Sequence, residues 1–200
     1  MTQNLSIREG LVSYEQRCRQ YRQRGLVVWF TGLSGSGKTT IAIEVEKRLF
    51  DQGRIVYRLD GDSLRQGLNA GLGFSEEDRK ENIRRAAEVA RLFQDAGLVV
   101  LASFISPQRA MRAHARNITP KGAFMEVYVK ASVETCVERD PKGFYKKALA
   151  GEIKDYTGIA QDYEEPEAPE LVLDTEKQSL EECVEQVLQA IAAFINITEG

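Results

Sequence analysis

The chain has 200 residues, 42% hydrophobic and 28% charged, enough for one compact α/β domain with its own core. A formal net charge of −3 excludes bulk attraction to nucleic acid or to an anionic membrane, so an anionic ligand must be drawn by a local basic site. Cys18, Cys136 and Cys183 are odd in number and form no CxxC pair, which argues against a disulfide framework and a zinc site and fits a reducing cytosol.

Residues 1–24 read as a polar, partly helical arm with no apolar signal stretch, and no run approaches the ~18 apolar residues of a membrane span. The expected location is cytoplasmic. Leu26–Phe30 is a short apolar run bounded by glycines, the pattern of a buried strand. A helix is expected from Lys38 to about Phe50, with Ile41, Val45 and Leu49 on one face. Ile55–Leu59 reads as a second strand running into Asp60-Gly-Asp62, and Asp62–Asn69 as a short helix. Ser75 has the form of an N-cap, with an acid three residues on, for a helix reaching about Asp95. Leu98–Ile105 is a wholly apolar strand, as in the interior of a parallel sheet, and Ser106-Pro107 breaks it and opens a helix. Phe124–Val129 is the next strand, followed by a helix through Cys136 to Arg139. Residues 140–166 carry charges, aromatics and glycines with no long periodic element. Leu171–Leu173 reads as an edge strand and Ser179–Ile195 as a closing amphipathic helix. The single histidine, His114, reads as a surface or helix residue rather than a ligand or base.

Strand and helix alternate, which implies right-handed crossovers and helices on both faces of a parallel sheet. Gly32-Leu33-Ser34-Gly35-Ser36-Gly37-Lys38-Thr39 sits between the first strand and the first long helix, the context a phosphate loop requires. Small residues let successive N–H groups turn inward, and the helix N-terminus adds a positive dipole end. Lys38 reaches the β- and γ-phosphates of ATP and the hydroxyl of Thr39 ligates Mg²⁺. The expected fold is a three-layer P-loop NTPase domain over residues 25–200, with a mobile lid at about 140–166.

A motor or switch would end an apolar strand in a Walker-B Asp, whereas the strand here ends in Ser106-Pro107. The acids follow the second strand instead. At that carboxyl end Asp60 and Asp62 would lie beside the phosphate loop, where a carboxylate orients an acceptor hydroxyl, takes its proton or holds Mg²⁺ through water. An ordinary Asp-Gly turn accounts for the same spacing about as well. Arg65, Arg79, Arg84 and Arg85 cluster around Phe74 and Asn82. Guanidinium forks suit phosphate or sulfate oxygens, and an aromatic at a glycine-flanked loop tip suits stacking on a base. A solvated helix face covers Arg84 and Arg85 equally well, and Arg65 poorly. The basic, aromatic 140–166 segment fits a lid that excludes water from phosphate transfer.

At this point the residues resemble the adenylyl-sulfate kinase family over about residues 25–175. Leu72-Gly-Phe-Ser75, Glu81-Asn-Ile-Arg-Arg85, Ser103-Phe-Ile-Ser-Pro107, Arg139-Asp-Pro-Lys-Gly143, Tyr156-Thr-Gly-Ile159 and Tyr163-Glu-x-Pro166 carry the resemblance beside the phosphate loop, which extends to Thr40. The resemblance implies transfer of the γ-phosphate of ATP to the 3′-hydroxyl of adenosine 5′-phosphosulfate, in sulfate activation, by a homodimer. It places Arg65, Arg79 and Asn82 on the acceptor, Phe74 and Tyr163 about its adenine, Ile105, Ser106 and Pro107 along its pocket, and Asp62 at the ribose hydroxyl. Arg139 would lie near the ATP adenine, and Lys142 and Lys147 in the lid. The position of Ser106 is marked in the family as a phosphoserine intermediate. The chain departs from the family pattern at Gln66, Gly71, Leu149, Tyr156 and Ala160, none of them a catalytic group. Two other readings stay open on residues alone: a kinase of another small alcohol, and a nucleotide-gated binding module without acceptor chemistry.

Overall fold

The structure, a computed structural model, describes residues 10–153 and 156–196. Five strands form one parallel sheet in the order β2-β3-β1-β4-β5, with β1 Leu26–Thr31, β2 Val56–Asp60, β3 Val99–Ser103, β4 Phe124–Lys130 and β5 Leu171–Asp174. The alternation of β1 sorts the core. Leu26, Val28 and Phe30 point to one face, against α2 (Lys38–Asp51) and α8 (Leu180–Ile195). Val27 and Trp29 point to the other, against α4 (Glu76–Asp95) and α5 (Arg109–Ile118). Both faces of β1, β3 and β4 are covered, which is why these strands are apolar at nearly every position.

The helix starts follow from side-chain caps. Ser13 caps α1 (Tyr14–Tyr21), Ser75 caps α4, Ser132 caps α6 (Val133–Arg139) and Ser179 caps α8; each hydroxyl accepts from a backbone N–H three residues on. Asp60 caps α3 (Gly61–Gln66). The described part of the N-terminal arm is sewn onto the domain. The buried Gln23 side chain bonds the backbone of Ile55 and the carbonyl of Gly97, and the Gly25 N–H donates to the Tyr14 hydroxyl. Residues 1–9 of the arm lie outside the described residues.

Three elements differ from the sequence expectation. α3 ends at Gln66 rather than Asn69, the chain turning from Gly67. β3 stops at Ser103 rather than Ile105, because the chain leaves the ladder through Phe104 and Ser106 adopts a left-handed φ of 38°. The lid segment contains a helix, α7 (Phe144–Leu149), too short to show periodicity. Asp140 starts it, its two oxygens accepting from the N–H groups of Tyr145 and Lys146. The fully buried Tyr145 joins Leu33, Ala131 and Cys136 in a small apolar cluster and donates its hydroxyl to the Ser34 carbonyl, 3.1 Å away. The segment expected as a lid is thereby tied to the phosphate loop at its first turn; Lys154 lies outside the described residues.

Candidate active site

The phosphate loop leaves β1 at Thr31 and enters α2 at Lys38. Gly32 has φ 146°, and a Cβ there would sit 2.3 Å from the Val129 carbonyl oxygen, so only glycine passes β4 this closely. Gly37, the N-cap of α2, has φ 102° and supplies no side-chain cap, so no side chain of its own covers the first N–H groups of α2. The buried Lys38 Nζ donates to the carbonyls of Gly32 (2.9 Å) and Leu33 (2.6 Å). Its pKa is lowered to about 7, chiefly by burial, with Cys136 opposing and the nearby charge of Lys142 adding to the drop.

A cleft of about 780 Å³ opens over this loop at the carboxyl ends of the strands. It is lined by Ser34–Thr40 of the loop, by Asp60 and Asp62, by Arg65, Phe74, Arg79 and Asn82, by Ser103 to Pro107, and by Arg139 and Lys142. The ladder sets the row: Asp60 at the end of β2 faces Ser103 of β3, which faces Phe30 of β1. Gly32 and Leu33 of the loop fall outside this lining. So do Lys147, on α7, and Tyr163, which stacks on Tyr128 with ring centroids 5.8 Å apart.

The two aspartates divide their work. Asp60 is saturated: one oxygen accepts from the N–H groups of Asp62 and Ser63, the other from Arg58 (2.9 Å) and the Ser63 hydroxyl (2.8 Å). Burial raises its pKa, but the bonds from Ser63 and Arg58 prevail and leave it below the usual value. Asp62 is exposed, and its carboxylate pairs with Lys142 from the lid. The turn reading thus describes Asp60, and the chemically available carboxylate is Asp62.

On the far side, the Arg65 guanidinium lies 4.4 Å from the centroid of the exposed Phe74 ring and donates to the carbonyls of Leu72 and Gly73. Burial and then the charge of Arg79 lower its pKa, the condition under which an arriving anion is most favoured. Arg79 donates to the Phe74 carbonyl, the Thr157 hydroxyl (3.0 Å) and the Gln161 side chain (2.6 Å), linking α4 to the lid. Asn82 is buried and accepts from Asn69. Arg84 and Arg85 pair instead with Glu81, as a solvated helix face does.

Several cleft residues lie beyond the sequence reading. Thr175, Gln178, Leu180 and Cys183 form the wall beside Arg139, whose guanidinium bonds the Thr175 backbone and hydroxyl. They come from the turn after β5 and the start of α8, where nothing in the local pattern distinguishes a wall from a connector. Trp29 and Thr31, hidden in an apolar strand, hold Ser106: the indole N–H donates to Ser106 Oγ (3.1 Å), which donates to Thr31 Oγ1 (2.9 Å).

The depressed Lys38 pKa has a measurable consequence. At pH 8 most of the free protein carries a neutral Lys38, whereas a bound polyphosphate favours the ammonium. Nucleotide binding at pH 8 therefore takes up close to one proton, and at pH 6, below the depressed pKa, it takes up none through this group. Calorimetry in two buffers of different ionisation enthalpy measures this. Equal uptake at both pH values counts against it.

Comparison with known proteins places this geometry. A family model described as adenylylsulphate kinase matches residues 24–174. The adenylyl-sulfate kinase of Staphylococcus carnosus (strain TM300) is 55% identical over 188 residues, covering 94% of each chain. The structure of the Mycobacterium tuberculosis APS kinase in complex with AMPPNP and APS superimposes with a TM-score of 0.78 at 47% identity, covering 83% of this chain and 96% of that one. A hexameric APS kinase from Thiobacillus denitrificans gives 0.64 at 31% identity, over 90% of this chain and 31% of that one. With the phosphate loop, the arginine-lined cleft and these matches running through most of its length, the chain belongs to the adenylylsulphate kinase family.

Proposed function

We propose that the chain transfers the γ-phosphate of ATP to the 3′-hydroxyl of adenosine 5′-phosphosulfate, giving ADP and 3′-phosphoadenosine 5′-phosphosulfate. One observation carries the reading: a single cleft is lined both by a phosphate loop with a buried lysine and by an aromatic–arginine site suited to a second, anionic nucleotide. A kinase of a sugar acid needs no base-stacking ring beside two arginines, and a binding module needs no second site. ADP release coupled to a reporter, with and without adenosine 5′-phosphosulfate, tests it. Release that ignores the acceptor would defeat the reading.

The donor side suits ATP with Mg²⁺. Among the described residues no three His, Cys, Asp or Glu side chains are grouped as a metal site. Thr39 and Asp62 line the same cleft, which fits an ion that arrives on the nucleotide and takes one hydroxyl from the loop and a carboxylate through water. When bound, Mg²⁺ neutralises charge on the phosphoryl oxygens. The chain's own residues do the rest. Lys38 meets the γ-phosphate, the N–H groups at the start of α2 hold the phosphates, Arg65 and Arg79 hold the phosphosulfate, and Asp62 orients the 3′-hydroxyl and takes its proton. Phe74 stacks on the acceptor adenine and Asn82 reads its edge. Tyr163 stands outside the cleft lining, so its part in a sandwich with Phe74 requires the lid segment to shift. Lys142 and Lys147 close the lid over the phosphates, and Arg139 borders the ATP base.

Arg79→Ala is expected to raise the acceptor KM by about 10- to 150-fold, the loss of a charged hydrogen-bonded contact worth roughly 1.5–3 kcal/mol, with the ATP KM nearly unchanged. Steady-state kinetics with each substrate varied in turn checks this; equal effects on both would count against the site. A homodimer in the cytoplasm completes the reading. Among the described residues no helix is long and apolar enough to cross a membrane.

A further inference from the structure

We propose that Arg112 is a positioning residue that couples the acceptor wall to the distal end of the lid. Arg112 lies on the face of α5 turned to the sheet and is 3% exposed. Its guanidinium spends three nitrogens on three different segments. Nη1 donates to the carbonyl of Ser106 (2.7 Å), Nη2 to the carbonyl of Glu164 (2.6 Å), and Nε lies 2.8 Å from Glu126 Oε1 on β4. The last is an ion pair rather than an aligned hydrogen bond. The same guanidinium carbon stands 5.5 Å from the centroid of the Tyr163 ring.

The two carbonyls belong to parts that catalysis must keep in register. Ser106 lies in the cleft wall and holds a strained left-handed φ, which persists only where its surroundings over-determine it. Glu164 closes the lid segment, and its N–H donates to the Pro107 carbonyl (2.9 Å) while its carboxylate accepts from the Arg109 N–H. Arg112 thus grips the wall and the lid end together, beside the Glu164–Pro107 backbone bond and the Thr31 hydroxyl that meets Ser106, Ile105 and Tyr163. A planar fork with fixed donor directions does this, and a lysine ammonium does not reach three diverging acceptors with the same geometry. The residue is not among those that line the cleft; it acts through the Ile105–Pro107 wall.

This inference rests on the assignment of the acceptor to the cleft beside Ser106. The test compares Arg112→Lys, which keeps a cation opposite Glu126, with Arg116→Gln. Arg116 is the neighbour on α5 whose guanidinium also pairs with Glu126 but turns to Glu170 rather than to Ser106 or Glu164. Arg112→Lys is expected to raise the acceptor KM at least 10-fold with the ATP KM within 2-fold, and to speed hydrogen exchange at the Glu164 amide. Arg116→Gln is expected to do neither. Should Arg112→Lys fail to fold, the pair Arg112→Met with Glu126→Leu, which removes both buried charges together, carries the same criteria. An acceptor KM within 2-fold of wild type, equal rises in both KM values, or the same effect from Arg116→Gln would overturn the inference and leave Arg112 a packing residue. Wild-type protein without acceptor-dependent ADP release would instead overturn the acceptor assignment, and this inference with it.

Discussion

Lys38→Ala is expected to lower kcat by about 10³-fold, the upper end of what one electrostatic donor at a developing charge contributes, while the thermal midpoint stays near wild type. The two effects separate because Lys38 is placed for chemistry rather than for packing. Its Nζ donates only to two carbonyls of its own loop and to the Ser36 hydroxyl, and burial already disfavours its charge. Removing it leaves the carbonyls of Gly32 and Leu33 without that donor, a cost of about 1 kcal/mol, and relieves the burial of an amine. During transfer, by contrast, the γ-phosphoryl oxygens need a mobile cation within the loop, and nothing else there supplies one: Lys142 belongs to the lid and pairs with Asp62. A folded Lys38→Ala variant turning over near the wild-type rate would remove the phosphate loop from the mechanism. A variant that loses activity only because it unfolds would show the loss in its circular dichroism and its thermal midpoint together.

How much of this was legible in the sequence depends on the range of the forces involved. The phosphate loop is a local object: a strand, a glycine-rich turn and a helix start, whose backbone demands are written into consecutive residues. The sheet followed from strands apolar on both faces, and the Ser75 cap marks a helix start within one turn. On spacing alone, without the family resemblance, Asp60 and Asp62 could not be told apart, because what separates them is Arg58 and Ser63 on one side and Lys142, eighty residues away, on the other. Arg112 gave no signal at all. Arg109, Arg112 and Arg116 fall at helical spacings with nothing local to set one apart, yet of the three only Arg112 is buried, where β4 offers Glu126 and Ser106 and Glu164 offer carbonyls. The wall beside Arg139 was equally silent, since Gln178 comes from the turn after β5 and Cys183 from the start of α8, far from Arg139 in sequence.

Asp62→Asn and Ser106→Ala are expected to part widely. If transfer is direct, Asp62→Asn loses about 10²–10⁴ in kcat, the range of a positioned acid–base group, whereas Ser106→Ala keeps substantial turnover. The geometry around Ser106 is the reason. A phosphoenzyme needs a nucleophile with a base within reach, but the Ser106 proton is directed to the hydroxyl of Thr31, with only the Phe104 carbonyl as a farther acceptor at 3.4 Å. Thr31 in turn donates to the Ile105 carbonyl and shares a hydrogen bond with the Tyr163 hydroxyl, so the chain of hydroxyls ends on a carbonyl, not on a base. Trp29 fills a lone pair of Ser106, and the residue is almost wholly buried. Ser106→Ala leaves Trp29 Nε1 and Thr31 short of a partner and is expected to cost about 1–3 kcal/mol of stability, not catalysis. Asp62 is exposed in the cleft, at the start of the short helix that follows the carboxyl end of β2, free of any role in capping. One in-line displacement inverts configuration at a chiral γ-phosphorus, and two displacements through a phosphoserine retain it. Inversion is the expected result; retention, or a phosphate trapped on Ser106 that turns over at the catalytic rate, would make Ser106 the nucleophile and reduce Asp62 to a supporting charge.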